Sequence, residues 1–325
     1  ESYLRHYFLE PMAARGVAMV GADSRYTGLN HPDLRMENVL LDLGQVIRYL
    51  HDDLAFENII LLGNSGGGPL SCYYQSQAEN PTIDQMPSGD PVDLGGAGLI
   101  AAKAVILINT IPSRAKMLTD WMDPAVVYED EPFLTNPELD MFNPKNGPPY
   151  STEFVRRYCQ GQRDRNDRIT CWAVAKLEEI KKSVDQNQDI VFTVYRTNAD
   201  LRSLDLNLEP SDREPQSNAK RDNLYAVGQG RVNTLRCWLS TWGLSTTYAD
   251  GPENLSQCSV PSLIIGSTAD RGCWISYARE YYDAAKGDKE LVWIKNATHY
   301  FVGQQELLDQ AADNIVSWLR ERQLV

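Results

Sequence analysis

Short, almost unbroken apolar runs recur along the chain: Gly16–Ala22 (GVAMVGA), Asn58–Gly63 (NIILLG), Ala102–Asn109 (AKAVILIN), Val260–Ser267 (VPSLIIGS) and Glu290–Asn296 (ELVWIKN). A strand with one face in water alternates apolar and polar residues. A strand covered on both faces reads as a continuous apolar run, as in a parallel sheet. Helical patterns lie between these runs. Leu34–Leu54 sets Leu40, Leu43, Val46, Ile47 and Leu50 on one stripe, with Asp33 placed to cap it. Ser2–Arg15, Ser65–Glu79 and Ile275–Lys286 are read as further helices, the last ended by Gly287. Gln304–Arg322 carries Leu307, Leu308, Ala311, Ile315 and Leu319 at helical spacing. This alternation predicts an α/β architecture, a mostly parallel central sheet flanked by helices.

Residues 110–259 break the alternation, because they exceed the usual length of a crossover between strands. Within them Thr152–Cys159, Ile169–Lys182 and Val232–Trp242 read as helices and Asp189–Tyr195 as a short strand. Glu209–Asn223 is polar enough to be expected mobile. The division expected is a core of residues 1–109 and 260–325, with 110–259 a large, mainly helical cap inserted over the end of the sheet.

Composition narrows the functional classes. At 325 residues, 42% hydrophobic and 23% charged, the chain has the make-up of a globular protein and not of a disordered one. A net charge of −13 argues against a nucleic-acid partner. The longest apolar runs are far too short to span a bilayer. Six cysteines (Cys72, Cys159, Cys171, Cys237, Cys258 and Cys273) show neither a CxxC pair nor zinc spacing. They read as buried thiols, with a Cys159–Cys171 bridge left open. No metal or cofactor is called for. Arg5, His6 and Glu10 interrupt any leader-like run in Glu1–Gly16, so a cytoplasmic location is expected for a chain whose N-terminus is incomplete. Oligomeric state stays open, a homodimer included.

The candidate chemistry lies where the second apolar run enters Gly63-Asn64-Ser65-Gly66-Gly67, a G-x-S-x-G motif between a strand and a helix. A serine on so sharp a turn has strained backbone angles, and its neighbours two residues away must lack side chains. The turn lifts the hydroxyl above the sheet, and the following helix points its N-terminus at it. A phosphate-binding turn would need G-x-G-x-x-G or a Walker lysine, and neither is present.

With this motif the chain resembles the α/β-hydrolase superfamily, over essentially all of its length outside 110–259. The resemblance implies a nucleophile–acid–histidine triad in that order, the acid after the next-to-last strand and the histidine after the last. Four histidines are present. His6 lies in the first helix, His31 after the first apolar run, and His51 near the end of a helix. His299, in Asn296-Ala297-Thr298-His299-Tyr300-Phe301 after the last strand, alone matches the base. Asp270, in Ser267-Thr268-Ala269-Asp270, matches the acid, with a helix N-cap as its other reading. A family variant puts the acid after the preceding strand, where Asn109 stands, uncharged. The Gly66 N–H matches the first oxyanion donor. The second usually lies on a His-Gly loop that is absent here, as are the first strands of the family sheet. An upstream extension of ~40–80 residues, enough for two or three strands, is therefore expected to supply both.

Trp121, Trp238 and Arg114 are candidates for the substrate pocket; Trp172, Trp242, Met117, Met122 and Phe142 read as cap core or pocket wall. Asp23 and Arg25 follow the first apolar run at the same end of the expected sheet. Asn254-Leu255-Ser256 and Asn296-Ala297-Thr298 match the glycosylation sequon, without meaning inside a cell. The leading expectation is hydrolysis of a small, largely apolar carboxylic ester through an acyl-enzyme. Carbon–carbon cleavage of a dioxo acid, in whose enzymes the word Gly-Asn-Ser also occurs, lactone hydrolysis, acyl transfer and cofactor-free perhydrolysis use the same triad. A ligand-binding receptor with vestigial activity is the reading from another class.

Overall fold

The computed structural model describes residues 3–27, 32–183 and 185–325. Helix α1 (Leu9–Ala14) is followed by α2 (Met36–Arg48), β1 (Ile60–Ser65), α3 (Gly67–Glu79) and β2 (Ala104–Thr110). Next come α4 (Arg114–Trp121), α5 (Thr152–Lys181), β3 (Val191–Thr193), α6 (Ala219–Leu224) and β4 (Val232–Thr234). A short α7 (Leu235–Cys237) continues as a π-helical turn over Trp238–Trp242. The chain closes with α8 (Gly251–Leu255), β5 (Ser262–Ser267), α9 (Ile275–Ala284), β6 (Lys289–Ile294) and α10 (Gln305–Glu321).

Strands β1, β2, β5 and β6 form one parallel sheet in the order β1-β2-β5-β6. Strand β2 shows why its sequence is an unbroken apolar run. Val105 and Leu107 face a core cluster with Leu40, Ile47, Leu61, Tyr74 and Tyr281, whereas Ile106 and Ile108 face a second one with Phe8, Ile294, Ile315 and Trp318. Helices on both faces bury both sides, and each fully buried Leu or Ile contributes roughly 1.5–3 kcal/mol. A third cluster, built by residues 110–259 around Met117, Ile169, Leu177, Trp238 and Trp242, extends to Cys273, Trp274 and Tyr277 beside β5. No helix among the described residues is long and apolar enough to cross a membrane.

Several expectations are corrected. Gly16–Ala22 is not a strand: Val17 and Met19 pack on the second cluster while Val20 is exposed, and no described strand hydrogen-bonds to it. Apolar patterning made the segment strand-like, but a strand also needs a neighbour. The first helix splits into a 3-10 turn at Tyr3–Arg5 and α1, leaving His6 between them; Ser2 and His31 lie outside the described residues. Asp33 does not cap α2, which starts two residues later than expected; its carboxylate pairs with Arg35 at 2.8 Å instead. Gly287 does not end α9, which stops at Ala284. The two expected helices near 152–182 are one, α5. Cys159 and Cys171 sit twelve residues apart along it, roughly 18 Å, which excludes a bridge. All six cysteines are free thiols, with Cys171 exposed and Cys159 half-buried. Val232–Trp242 begins as strand β4. Glu209–Asn223 is tied down: Glu209 accepts from the Ser276 N–H and hydroxyl, Arg213 is buried, and the segment ends in α6.

Candidate active site

Strand β1 ends on Ser65, whose φ of +54° lies in the left-handed region, a strain of roughly 1–3 kcal/mol for a residue with a side chain. The pairing with β2 slips at this point, from Asn64 opposite Ile108 to Ser65 opposite Thr110. Two bonds hold the turn. Asn64 Nδ2 donates to the Ile108 carbonyl at 3.0 Å, and the Thr110 hydroxyl donates to the Ser65 carbonyl at 2.9 Å. A Cβ on Gly63 would stand 2.7 Å from backbone atoms of Gly67 and Gly68, so that glycine is required for close approach. At the far side the requirement falls on Gly68, not Gly67 as expected from the motif: a Cβ on Gly68 would meet Thr110 Oγ1 at 1.6 Å, while one on Gly67 would meet nothing within 4 Å.

Asp270 and His299 come from the loops after β5 and β6, beyond the carboxyl ends of the strands, and meet there. Asp270 Oδ2 lies 2.6 Å from His299 Nδ1. The other oxygen, Oδ1, accepts the Gly272 and Cys273 N–H groups at 2.8 and 2.9 Å, so the buried carboxylate has donors on both sides. Asn109 clamps the two loops: its amide donates to the His299 carbonyl at 3.0 Å and its oxygen accepts the Ser267 N–H at 2.9 Å. Its own φ is +45°. Sequence reasoning considers Asn109 only as an acid that it is not; an asparagine closing an unbroken apolar run was the available signal.

Two further residues were not anticipated here. The buried Cys273 thiol lies with Asp270 and His299, their ligand atoms all within 4.8 Å of one another, the sole trio of metal-capable side chains so close among the described residues. Burial holds its pKa well above the usual thiol value, the Asp270 charge adds to that, and the hydroxyl of Ser65 acts in the opposite sense. Ser65 itself makes no hydrogen bond to His299. Tyr7, packed on Tyr300 and Phe301, has a buried hydroxyl without a hydrogen-bond partner. Burial first, then the charges of Tyr300, Asp270 and Cys273, raise its pKa. His6 Nε2 sits 3.4 Å from Asn64 Oδ1, with burial lowering its pKa, and His51 pairs with Asp52 on the surface.

A cavity of about 350 Å³ opens over Ser65 and Gly66. Its walls include Leu34, Val39, Met117 and Trp242, with Asp23, Asp42, Arg114 and Arg231 as charged groups. Of the expected pocket residues Arg114 is there. Trp238 is not: it is fully buried and donates its ring N–H to Thr170 Oγ1 at 2.9 Å. Trp121 lines a separate cleft with Asn198, Asp200 and Trp274. Trp242 takes the wall position that the sequence could not distinguish from core. Arg25 is spent on Asp42 at 2.6 Å, and Asp23 accepts the Tyr3 N–H at 2.7 Å.

No protein-family model and no curated protein matches the chain. Solved structures do. The structure of DcsB in complex with its substrate analogue aligns at a TM-score of 0.51 and 13% identity, covering 97% of this chain and 84% of that one. The monoacylglycerol lipase of Paleococcus ferrophilus aligns at 0.45 and 13%, over 97% and 90%. An esterase domain from Rhodothermus marinus aligns at 0.41 and 11%, over 91% and 72%. At such identities the likeness is one of fold: the chain has the α/β-hydrolase fold, a parallel sheet flanked by helices with the serine turn at the end of β1.

Proposed function

We propose that the protein is a serine hydrolase that cleaves a small carboxylic ester through an acyl-enzyme, with Ser65 as nucleophile, His299 as base and Asp270 as its partner. The reading rests above all on one observation: a positive-φ serine at a strand-to-helix turn on the same sheet end as a buried carboxylate bonded to a histidine at 2.6 Å. Residues 110–259 serve as the cap, which contributes Arg231 and Trp242 to the cavity over Ser65.

The chemistry follows from these groups. In this reading Ser65 Oγ attacks the ester carbonyl as the His299 imidazole takes its proton on Nε2. Asp270 fixes the proton on Nδ1, leaving Nε2 free to accept, and stabilises the imidazolium. The Gly66 N–H, at the start of α3, donates to the oxyanion. Collapse expels the alcohol, protonated by His299. Water then attacks the acyl-enzyme, with His299 again as base, and frees the carboxylic acid and Ser65.

A fluorophosphonate probe tests this directly. Ser65 is expected to carry the label, and Ser65→Ala to lose both label and turnover of activated esters. Labelling at another serine overturns the assignment.

A further inference from the structure

The cavity over Ser65 has apolar walls, yet it holds two guanidinium groups to which no carboxylate of the described residues is paired. Arg114, the first residue of α4, leans on the turn itself: a Cβ on Gly66 would meet its Nη2 at 2.6 Å, so glycine there leaves room for the guanidinium. Its Nε is buried with no hydrogen-bond partner, and its Cζ lies 5.9 Å from the centre of the Trp242 ring. Arg231, from the loop before β4, is 3% exposed, and its Nη1 has no partner. Its other nitrogens donate only to the Thr197 hydroxyl and to the carbonyls of Asp222 and Asn223. Burial without a counter-charge holds its pKa below the usual guanidinium value.

Most other arginines of the interior meet a carboxylate, Arg213 being the exception: its Nε is also without a partner, and its other nitrogens donate to the Glu209 and Arg202 carbonyls and the Ser211 hydroxyl. Arg165 has Glu129, Arg196 has Asp123, Arg202 has Asp200 and Arg236 has Asp90, all at 2.6–2.8 Å. Lys116, two residues after Arg114, has both Asp250 and Glu280. In a chain of net charge −13 an acidic partner was easily placed. The acids that share the cavity are otherwise engaged, Asp42 with Arg25 and Asp23 with the Tyr3 amide. A guanidinium buried without a counter-charge, as that of Arg231 is, is costly, and half-buried Arg114, whose Nε is shut off from solvent, has the rest of its fork of donors left to offer an incoming carboxylate.

We propose that the substrate is an ester bearing a carboxylate close to the scissile carbonyl, held by Arg114 with Arg231 keeping the far wall positive. The proposal deepens the Ser65 hydrolase reading and rests on it for the reacting bond. No step beyond ester hydrolysis is added: the substrate's own carboxylate stays charged and unreacted throughout.

Two matched pairs of esters test it. On the acyl side, monophenyl fumarate is compared with phenyl (E)-4-methylpent-2-enoate; the trans double bond keeps the carboxylate from attacking its own ester. On the alcohol side, 3-acetoxybenzoate is compared with 3-isopropylphenyl acetate. A charge-assisted contact predicts a kcat/KM at least about tenfold higher for the anionic member of one pair, and collapse of that ratio in Arg114→Gln. Preference for the neutral member in both pairs overturns the proposal. So does a ratio unchanged in Arg114→Gln, because an arginine serving the oxyanion or the fold would lower both members alike. Calorimetric titration of Ser65→Ala with fumarate and with benzoate reads the anion site without chemistry. Binding of either that weakens in the Ser65→Ala/Arg114→Gln protein supports it, and no binding of either overturns it. Failure of the hydrolase reading shows separately, as a wild-type protein whose Ser65 takes no fluorophosphonate.

Discussion

Asp270 Oδ2 approaches His299 Nδ1 at 2.6 Å while Oδ1 of the same carboxylate is held by the Gly272 and Cys273 amides. The two oxygens have different partners, and those partners fix which way the group faces. The imidazole is thereby given a proton on Nδ1 and an open Nε2.

Asp270→Asn exploits that asymmetry. The new amide must keep its oxygen toward the two backbone N–H groups, because an NH₂ there would face two donors. Its nitrogen then points at His299 Nδ1, which must become the acceptor, and the ring proton moves to Nε2. Turnover is expected to fall by ~10⁴ with the fold retained by circular dichroism, as in a wrong-tautomer serine protease. An unchanged rate would remove Asp270 from the mechanism.

The serine turn predicts opposite outcomes for two adjacent glycines. Gly68→Ala drives a methyl into the Thr110 side chain, which cannot swing aside without releasing the Ser65 carbonyl. A loss of about 1–3 kcal/mol in urea denaturation is expected. Gly67→Ala meets open space at the first turn of α3 and should be neutral or gain a few tenths of a kcal/mol. Equal losses at both positions would contradict the close contact between Gly68 and Thr110.

Tyr7→Phe removes a buried hydroxyl that has no partner. Leaving such a donor unsatisfied costs about 1–3 kcal/mol, so the variant should unfold at higher urea than the wild type. A lower midpoint would mean that the hydroxyl is bonded in solution. A midpoint gain together with lost turnover would place it against the substrate.

Much of this was legible in the sequence because the signals are local. The four strands of the sheet announce themselves as apolar runs, though only β2 and β5 are buried along their whole length, and Ser65, Asp270 and His299 were put forward by their place after three of those runs and a resemblance to a known family. Gly16–Ala22, none of whose residues is fully buried, misled for the same reason: an apolar run does not supply the neighbour that makes a strand. Residues whose role is set across the chain were not legible. Trp238 and Trp242 are four residues apart, and only the packing of the π-helical turn puts one in the core and the other on the cavity wall. Arg231 gives no local signal, because its burial depends on Thr197 and on the loop at Asp222 and Asn223. Asn109 was visible, but its clamp between two loops was not.

Glu37 carries a pH dependence that can be measured apart from activity. It lies on α2 with no exposed surface, accepting from the Ser240 hydroxyl at 2.7 Å and, at 3.5 Å, from Tyr73. Burial raises its pKa, and those bonds, its own amide and the Arg35 charge offset only part of that rise. An acid whose pKa is higher folded than unfolded holds its proton longer in the folded state. Its contribution is fully present below the unfolded value, about 4.3, and is lost as pH rises through the folded value, at about 1.4 kcal/mol for each pH unit that separates the two. Asp90, whose pKa is lowered by Arg236 and Ser88 against its burial, has the opposite slope, so the comparison must be between two proteins and not along one curve. Glu37→Gln keeps an acceptor for Ser240 and has no charge to bury. The difference in unfolding free energy, variant minus wild type, should therefore be lowest near pH 4 and grow in favour of the variant as the pH rises from there through the raised folded value. A difference that is flat over this range would show that Glu37 is ionised in the folded protein at no cost, contrary to its burial.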